Sequence, residues 1–309
     1  MLNANVRRKL NSLRELPTIP TVISQVLRAL DNVDVSASVL AKLIERDQTL
    51  ASRVLQVANS PFYGFSRRIS TIDLAVVVMG LNSIKEIVIG LVVQRFFGKS
   101  KRSIININEF WKYSLFCGAA SRVLARKLGY KLAGEAFVTG LMHDLGLIIL
   151  SDNFNYHFKK IWAIADQENM SLIEAEELVL GCNHGDIGAW LAEKWNFPAH
   201  LCDAIRFHHT PYLKFTEASE YNLANGELNM PLTAIVSLSE WFAGEMGYKI
   251  WINESKKSEL YLSTEIFDDF SGNDTLSSGG AIAKLKQELS DEFERASEFQ
   301  TLPSYSLYK

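Results

Sequence analysis

Apolar residues recur along this chain with a helical period almost throughout. Ile23, Val26, Leu27 and Leu30 follow the i, i+3, i+4, i+7 rule of one buried helix face. Ser36 is placed to cap a second helix burying Leu40, Leu43 and Ile44, and Asp47 a third burying Leu50, Val54 and Val57. That third helix ends at Asn59-Ser60-Pro61, where proline cannot continue it. Ser70-Thr-Ile-Asp73 reads as a capping box opening an apolar helix from Leu74, and another helix from Ser83 presents Ile84, Ile87, Val88 and Leu91. Further helices are expected over Phe110–Leu128, Glu135–Leu150, Tyr156–Asn169, His184–Trp195, Ala199–His209, Leu232–Met246 and Ile282–Phe299. Ser171-Leu-Ile-Glu174 is a second capping box. No run of residues reads as a strand, and no internal repeat is visible, so the expected class is all-α.

Two polar stretches interrupt the pattern. Gly98-Lys-Ser-Lys-Arg-Ser reads as a solvated connector, because no aromatic residues interleave with its charges as a nucleic-acid groove requires. The small polar residues Ser271-Gly-Asn-Asp and Ser277-Ser-Gly-Gly read as flexible chain. The expected organisation is an N-terminal helical lobe to about residue 105, a second lobe over 106–212, and helices over 213–300 that complete it.

Composition narrows the classes. With 309 residues and 48% hydrophobic content, the chain has ample material for a core, which excludes disorder throughout. Its formal charge of −3 argues against a dedicated nucleic-acid binder, which carries a basic excess. Cys117, Cys182 and Cys202 are odd in number and lack CxxC spacing, which fits reduced thiols in a cytoplasm rather than a disulfide framework. No leader segment is expected from the polar N-terminal residues. The apolar stretch Leu74–Val93 carries Asn82, Lys85 and Glu86, so it is expected to be buried core and not a membrane span.

The histidines carry the chemical signal. His143-Asp144 stands in an otherwise apolar helix, where an aspartate is costly unless a charge or hydrogen bond meets it. A divalent ion is one such partner, and imidazole with carboxylate suits iron, manganese, zinc or nickel. His184 follows Asn183, its expected helix cap, and His208-His209 ends a helix before Thr210-Pro211. Each has a bland explanation alone: a helix-start hydrogen bond for His184, the helix dipole for the pair. Their order, a His-Asp doublet followed by a distant His and a His-His pair, is the stronger signal. His157 and His200 lie outside it, and Trp111, Trp162, Trp190 and Trp195 sit at core spacings.

In that order the chain resembles the HDOD (HD-related output domain) branch of the HD metal-dependent phosphohydrolase superfamily. Leu16-Pro17-Thr-Ile-Pro20 is similar to the opening of that branch, and Asp47-Gln-Thr-Leu-Ala-Ser-Arg-Val-Leu-Gln-Val-Ala-Asn59-Ser60-Pro-Phe-Tyr63-Gly64 to its most distinctive stretch. Phe110-Trp111-Lys-Tyr113-Ser114, His184-Gly-Asp-Ile-Gly188, Trp195-Asn-Phe-Pro198 and Ala204-Ile-Arg-Phe-His208-His209 extend the resemblance over residues 16–212. It implies two all-helical lobes, an N-terminal bundle (16–105) and an HD-like lobe (106–212), with Tyr63 packing between them.

The resemblance also implies a metal centre that is only partly kept. Relatives hold a first metal with an initial His, the His-Asp doublet and a final Asp, and two-metal relatives add another His and a His-His pair. The corresponding residues here are Tyr113, His143 and Asp144, Glu240, then His184, His208 and His209. Tyrosine, with a pKa near 10, is a poor ligand for most divalent ions. Leu147 stands where active relatives often place a basic residue for phosphate, and Arg206 reads as an exposed helix-face residue rather than a substitute. The expected role is a non-catalytic signalling module that binds a partner protein or small ligand in the cytoplasm, with His143, Asp144, His184, His208, His209 and Glu240 around one divalent ion. Neither nucleic acid nor a membrane is an expected partner. The alternatives are a metal-dependent phosphohydrolase acting on a nucleotide or cyclic dinucleotide using the same residues, and a plain helical scaffold whose histidines satisfy core hydrogen bonds.

Overall fold

A computed structural model describes residues 2–13, 25–26, 29, 35–97, 104–210, 230–248, 250 and 279–297. Among these the regular structure is helical, without a strand. The helices are α1 (Ala4–Ser12), α2 (Ala37–Glu45), α3 (Gln48–Ala58), α4 (Ile72–Phe97), α5 (Ile107–Lys127), α6 (Ala133–Met142), α7 (Leu145–Asn153), α8 (Asn155–Gln167), α9 (Leu172–Leu180), α10 (His184–Lys194), α11 (Ala199–Phe207), α12 (Met230–Glu245) and α13 (Gly279–Ala296). The opening Leu16–Pro20, most of the helix expected over Ile23–Leu30, the connector at 98–103 and the polar stretch at 271–278 lie outside the described residues.

The chain divides into two compact units. One comprises Pro17–Lys99 with Asp291–Lys309, the other Met1–Leu16 with Ser100–Ser290. In the first, α2 and α3 pack on α4. Ser36 accepts a hydrogen bond from Val39 N at 3.3 Å, and Asp47 accepts from Thr49 N and Leu50 N at 3.0 Å, so both expected caps form. At the next helix the cap is Thr71, accepting from Leu74 N at 3.2 Å, in place of the Ser70 box. Asn59 closes the loop after α3 by accepting from Ile69 N and donating to Ile69 O. Gly80, at φ 80° and ψ 163°, breaks α4 into two helical runs, as the separate starts at Leu74 and Ser83 imply. Tyr63 directs its hydroxyl to Glu86 Oε2 within this unit, at 3.5 Å.

By length and composition, Ile72–Leu91 and Ala133–Asn153 are each apolar enough to cross a membrane. The second is 83% buried by the fold. The first buries one face only, leaving Leu74, Val77 and Val78 exposed, so the expected core stretch has an uncovered side.

In the second unit α5 packs against α6 and α12, α7 against α10, and α10 against α11. Phe110, Phe116, Phe137, Phe158 and Phe242 are buried there, with Trp111, Trp190 and Trp195. The capping box at Ser171 forms with Glu174, and Asn183 accepts from Asp186 N at 3.1 Å. Asn3 caps α1 through Val6 N and donates its amide N–H to Leu180 O, the last carbonyl of α9. The helix expected over Glu135–Leu150 is in fact two. It breaks at His143-Asp144, where Asp144 leaves helical geometry (φ −100°, ψ 9°) and Leu147 N bonds back to Asp144 O.

Candidate metal centre

Two close crossings bring the histidines together. A Cβ on Gly146 would lie 1.9 Å from His184 O, and one on Gly185 would lie 2.7 Å from Arg206 O. Only residues without side chains let the start of α10 run against the backbone of α7 on one side and the end of α11 on the other. His184 is the first residue of α10, His208 and His209 follow α11, and His143-Asp144 is the α6–α7 corner. Tyr113 on α5 and Glu240 on α12 complete the surroundings.

The ring orientations follow from what the other nitrogen does. A carbonyl oxygen only accepts, so His143 Nδ1–H donates to Gly140 O at 2.7 Å and His208 Nδ1–H to Ile205 O at 2.6 Å. His184 Nδ1–H donates to Glu176 Oε2 at 2.8 Å. All three therefore turn Nε2 toward Asp144. Asp144 Oδ2 lies 3.2 Å from His143 Nε2, and Oδ1 lies 2.9 Å from His184 Nε2 and 3.4 Å from His208 Nε2. His209 Nε2 is 2.8 Å from His184 Nε2, and its Nδ1 is 3.7 Å from Glu240 Oε2. The Tyr113 hydroxyl is 3.3 Å from His143 Nε2.

Two overlapping donor sets result. Asp144, His184, His208 and His209 each offer an atom, all within 4.8 Å of one another; so do His143, His208 and Glu240. A tetrahedral ion with bonds of about 2.0–2.1 Å needs its ligand atoms roughly 3.4 Å apart, which lies inside the range of 2.8–4.8 Å seen here. His208 Nε2 and Glu240 Oε2 are buried with no hydrogen-bond partner, although imidazoles crowd them. Buried lone pairs left unpaired among these donors are costly unless a cation meets them. The residues present therefore fit a divalent transition metal.

The charges are organised to match. Burial alone would raise Asp144, but His143 and His184 hold its carboxyl well below the usual range. Burial would lower His184, but Glu176 and Asp144 raise it well above the ordinary imidazole value. His209 is pushed down by burial and by His208 and His184, which keeps it neutral and able to donate a lone pair. Burial, then the Asp144 charge, pushes Glu240 up to about 7. Burial, then Glu240, raises Tyr113, so its hydroxyl stays protonated.

The sequence-derived residues are thus found as follows. His143, Asp144, His184, His208, His209 and Glu240 converge, with Tyr113 against His143. Leu147 is fully buried and belongs to the core. Arg206, expected on an exposed face, is largely covered and pairs with Glu193 at 2.6 Å, Asp203 at 3.4 Å and Asp186 at 3.6 Å. His200 pairs with Glu135 at 2.8 Å, away from the cluster. Glu176 is the contributor that sequence reasoning missed. Its helix position within Ala175-Glu176-Glu177 looks like a solvated face, and only the fold-back at Gly181 brings it to His184.

Fold and site together define a helical protein with a buried histidine–carboxylate cluster. The sequence pattern of the HDOD domain matches residues 16–211, and the chain belongs to the HDOD domain family. An uncharacterized protein of Treponema pallidum (strain Nichols) is 27% identical over 200 residues, 63% of this chain. The match covers 38% of that relative, so this chain spans well under half of its length. The fold is shared with an HDOD domain protein of unknown function from Geobacter sulfurreducens, at 23% identity and TM-score 0.72, covering 95% of this chain and 96% of the other. It is shared too with a candidate phosphohydrolase from Shewanella amazonensis SB2B, at 23% identity and TM-score 0.67, covering 94% and 97%. A candidate signal transduction protein from Marinobacter aquaeolei VT8 has 20% identity and TM-score 0.66, covering 96% of this chain and 64% of the other.

Proposed function

We propose that this chain is a non-catalytic HDOD signalling module whose second unit holds one divalent transition metal. In this reading Asp144, His184, His208 and His209 hold the ion, which is iron, manganese, zinc or nickel. It works in the cytoplasm and passes on a regulatory state by binding a partner protein or a small ligand, not nucleic acid or a membrane.

The observation that carries this reading is the closure of the centre. His143 and His208 are fully buried, and His184 and Asp144 nearly so. Catalysis on a phosphate ester needs a substrate beside the ion and a cationic clamp on its oxygens. Here Leu147 is core, and Arg206 is spent on three carboxylates. Tyr113, its hydroxyl 3.3 Å from His143 Nε2 and kept protonated by burial, seals the side of His143 without supplying a metal ligand. When bound, the ion would supply positive charge and Lewis acidity. The chain's own residues orient three imidazoles through Nδ1, hold Asp144 ionised among them, and exclude water.

A metal-dependent phosphohydrolase acting on a nucleotide or cyclic dinucleotide is the second reading. It draws on the His143–His208–Glu240 set, a second potential metal position, and on the partly exposed edge formed by His209 and Glu240. Elemental analysis of purified protein, followed by hydrolysis assays with added iron, manganese or zinc, separates the two. The expected result is bound metal without turnover. Metal-dependent turnover of nucleotides or cyclic dinucleotides that vanishes in His143→Ala would overturn the non-catalytic reading, and a chain with no affinity for any of these ions would overturn the metal reading.

A further inference from the structure

Glu176 is fully buried on α9, eight residues before His184. Its Oε2 accepts two hydrogen bonds from that one residue, the backbone N–H and the ring Nδ1–H, each at 2.8 Å. Its Oε1 is buried with no partner. Burying a carboxylate costs several kcal/mol per ion, and replacing a buried ion pair by apolar side chains is often neutral or stabilising. A glutamate placed so expensively, with its contacts spent on a single histidine, does more than fill space.

We propose that Glu176 is a positioning residue that fixes His184 with Nδ1 protonated and Nε2 turned into the cluster, and so sets the chain's affinity for its metal. This rests on the metal reading above. The geometry gives Glu176 a grip at two points of one residue. Its bond to the backbone fixes where α10 begins, and its bond to the ring fixes how the imidazole turns about its side-chain bonds. Asn183, with its Oδ1 on Asp186 N and its Nδ2 on Glu177 Oε1 at 3.0 Å, ties the same turn to α9. Gly181, left-handed at φ 68°, folds α9 back so that Glu176 meets His184 across this short connection. A carboxylate behind a ligating imidazole also makes its other nitrogen a better donor, and losing such a partner typically costs about 10- to 100-fold in metal affinity.

The test is a competition titration with Zn2+ on wild type, Glu176→Leu and Glu176→Gln, with thermal unfolding of each metal-free chain alongside. The expected result is that Glu176→Leu binds Zn2+ about 10- to 100-fold more weakly. Glu176→Gln should fall between, because its amide oxygen accepts both N–H groups but carries no charge. Long-range 1H–15N correlation on Zn2+-loaded wild type should show His184 protonated at Nδ1 and metal-bound at Nε2. A merely structural glutamate would lower the unfolding temperature and leave the affinity of the folded chain unchanged. Zn2+ affinity within twofold of wild type in the folded variants, or His184 bound through Nδ1, would overturn the proposal alone. Should Glu176→Leu fail to fold, Glu176→Gln and the spectrum of the wild type decide it. A wild-type chain that takes up no Zn2+ would overturn the metal reading and this inference with it.

Discussion

Asp144 is the residue on which the site turns. Its carboxylate lies within 3.4 Å of three imidazoles, and its position at a helix corner, rather than within a helix, lets its two oxygens face different partners. The cysteines show the opposite behaviour. All three are buried and free. Burial, then nearby carboxylates, pushes Cys182 and Cys202 up to about 12, and burial also raises Cys117. The native chain is therefore expected to show no fast-reacting thiol with a disulfide reagent at pH 8, and three after denaturation. A rapidly modified native cysteine would contradict this. At this scale the sequence was informative where chemistry is conspicuous. A His-Asp doublet in apolar surroundings, or a His-His pair, stands out against the core. Glu176 does not, because glutamate is ordinary on a helix, and Arg206 misled because its three carboxylates come from α10 and α11 together.

Among the elements, the helix starts were legible because caps are local. Ser36, Asp47, Ser171 and Asn183 act on amide groups two or three residues ahead, whatever the rest of the chain does. The break between α6 and α7 was not legible. Apolar residues run straight through His143-Asp144, and nothing in their period marks a corner made by contacts with α10 and α11. The crossing of α7 and α10 depends on Gly146, so Gly146→Ala should force backbone apart. A stability loss of about 1–3 kcal/mol or more is expected in chemical denaturation, together with weaker metal uptake. A variant as stable as wild type would show that the helices have room the geometry denies.

For the molecule as a whole, the residues of the centre come from five separate stretches, yet all belong to the unit built from Met1–Leu16 and Ser100–Ser290. Helical class was readable from periodicity alone, since each amphipathic segment reports its own buried face. Which segments meet was not, since pairing is decided by small residues at crossings whose partners are distant in sequence. The Nδ1–carbonyl bonds of His143 and His208 have a bearing on the energetics of the proposed metal binding. Each ring is clipped to the helical turn just before it, inside its own stretch of chain, so the cradle keeps its shape with no cation to gather it. Unlike a zinc finger, where coordination and folding are one transition, a centre clipped in this way would meet an ion already assembled. Amide exchange across α6, α7 and α10 should therefore be as slow in chelator-treated protein as in loaded protein. Exchange that becomes fast on chelation would mean that the ion, and not the backbone carbonyls, holds these rings in register.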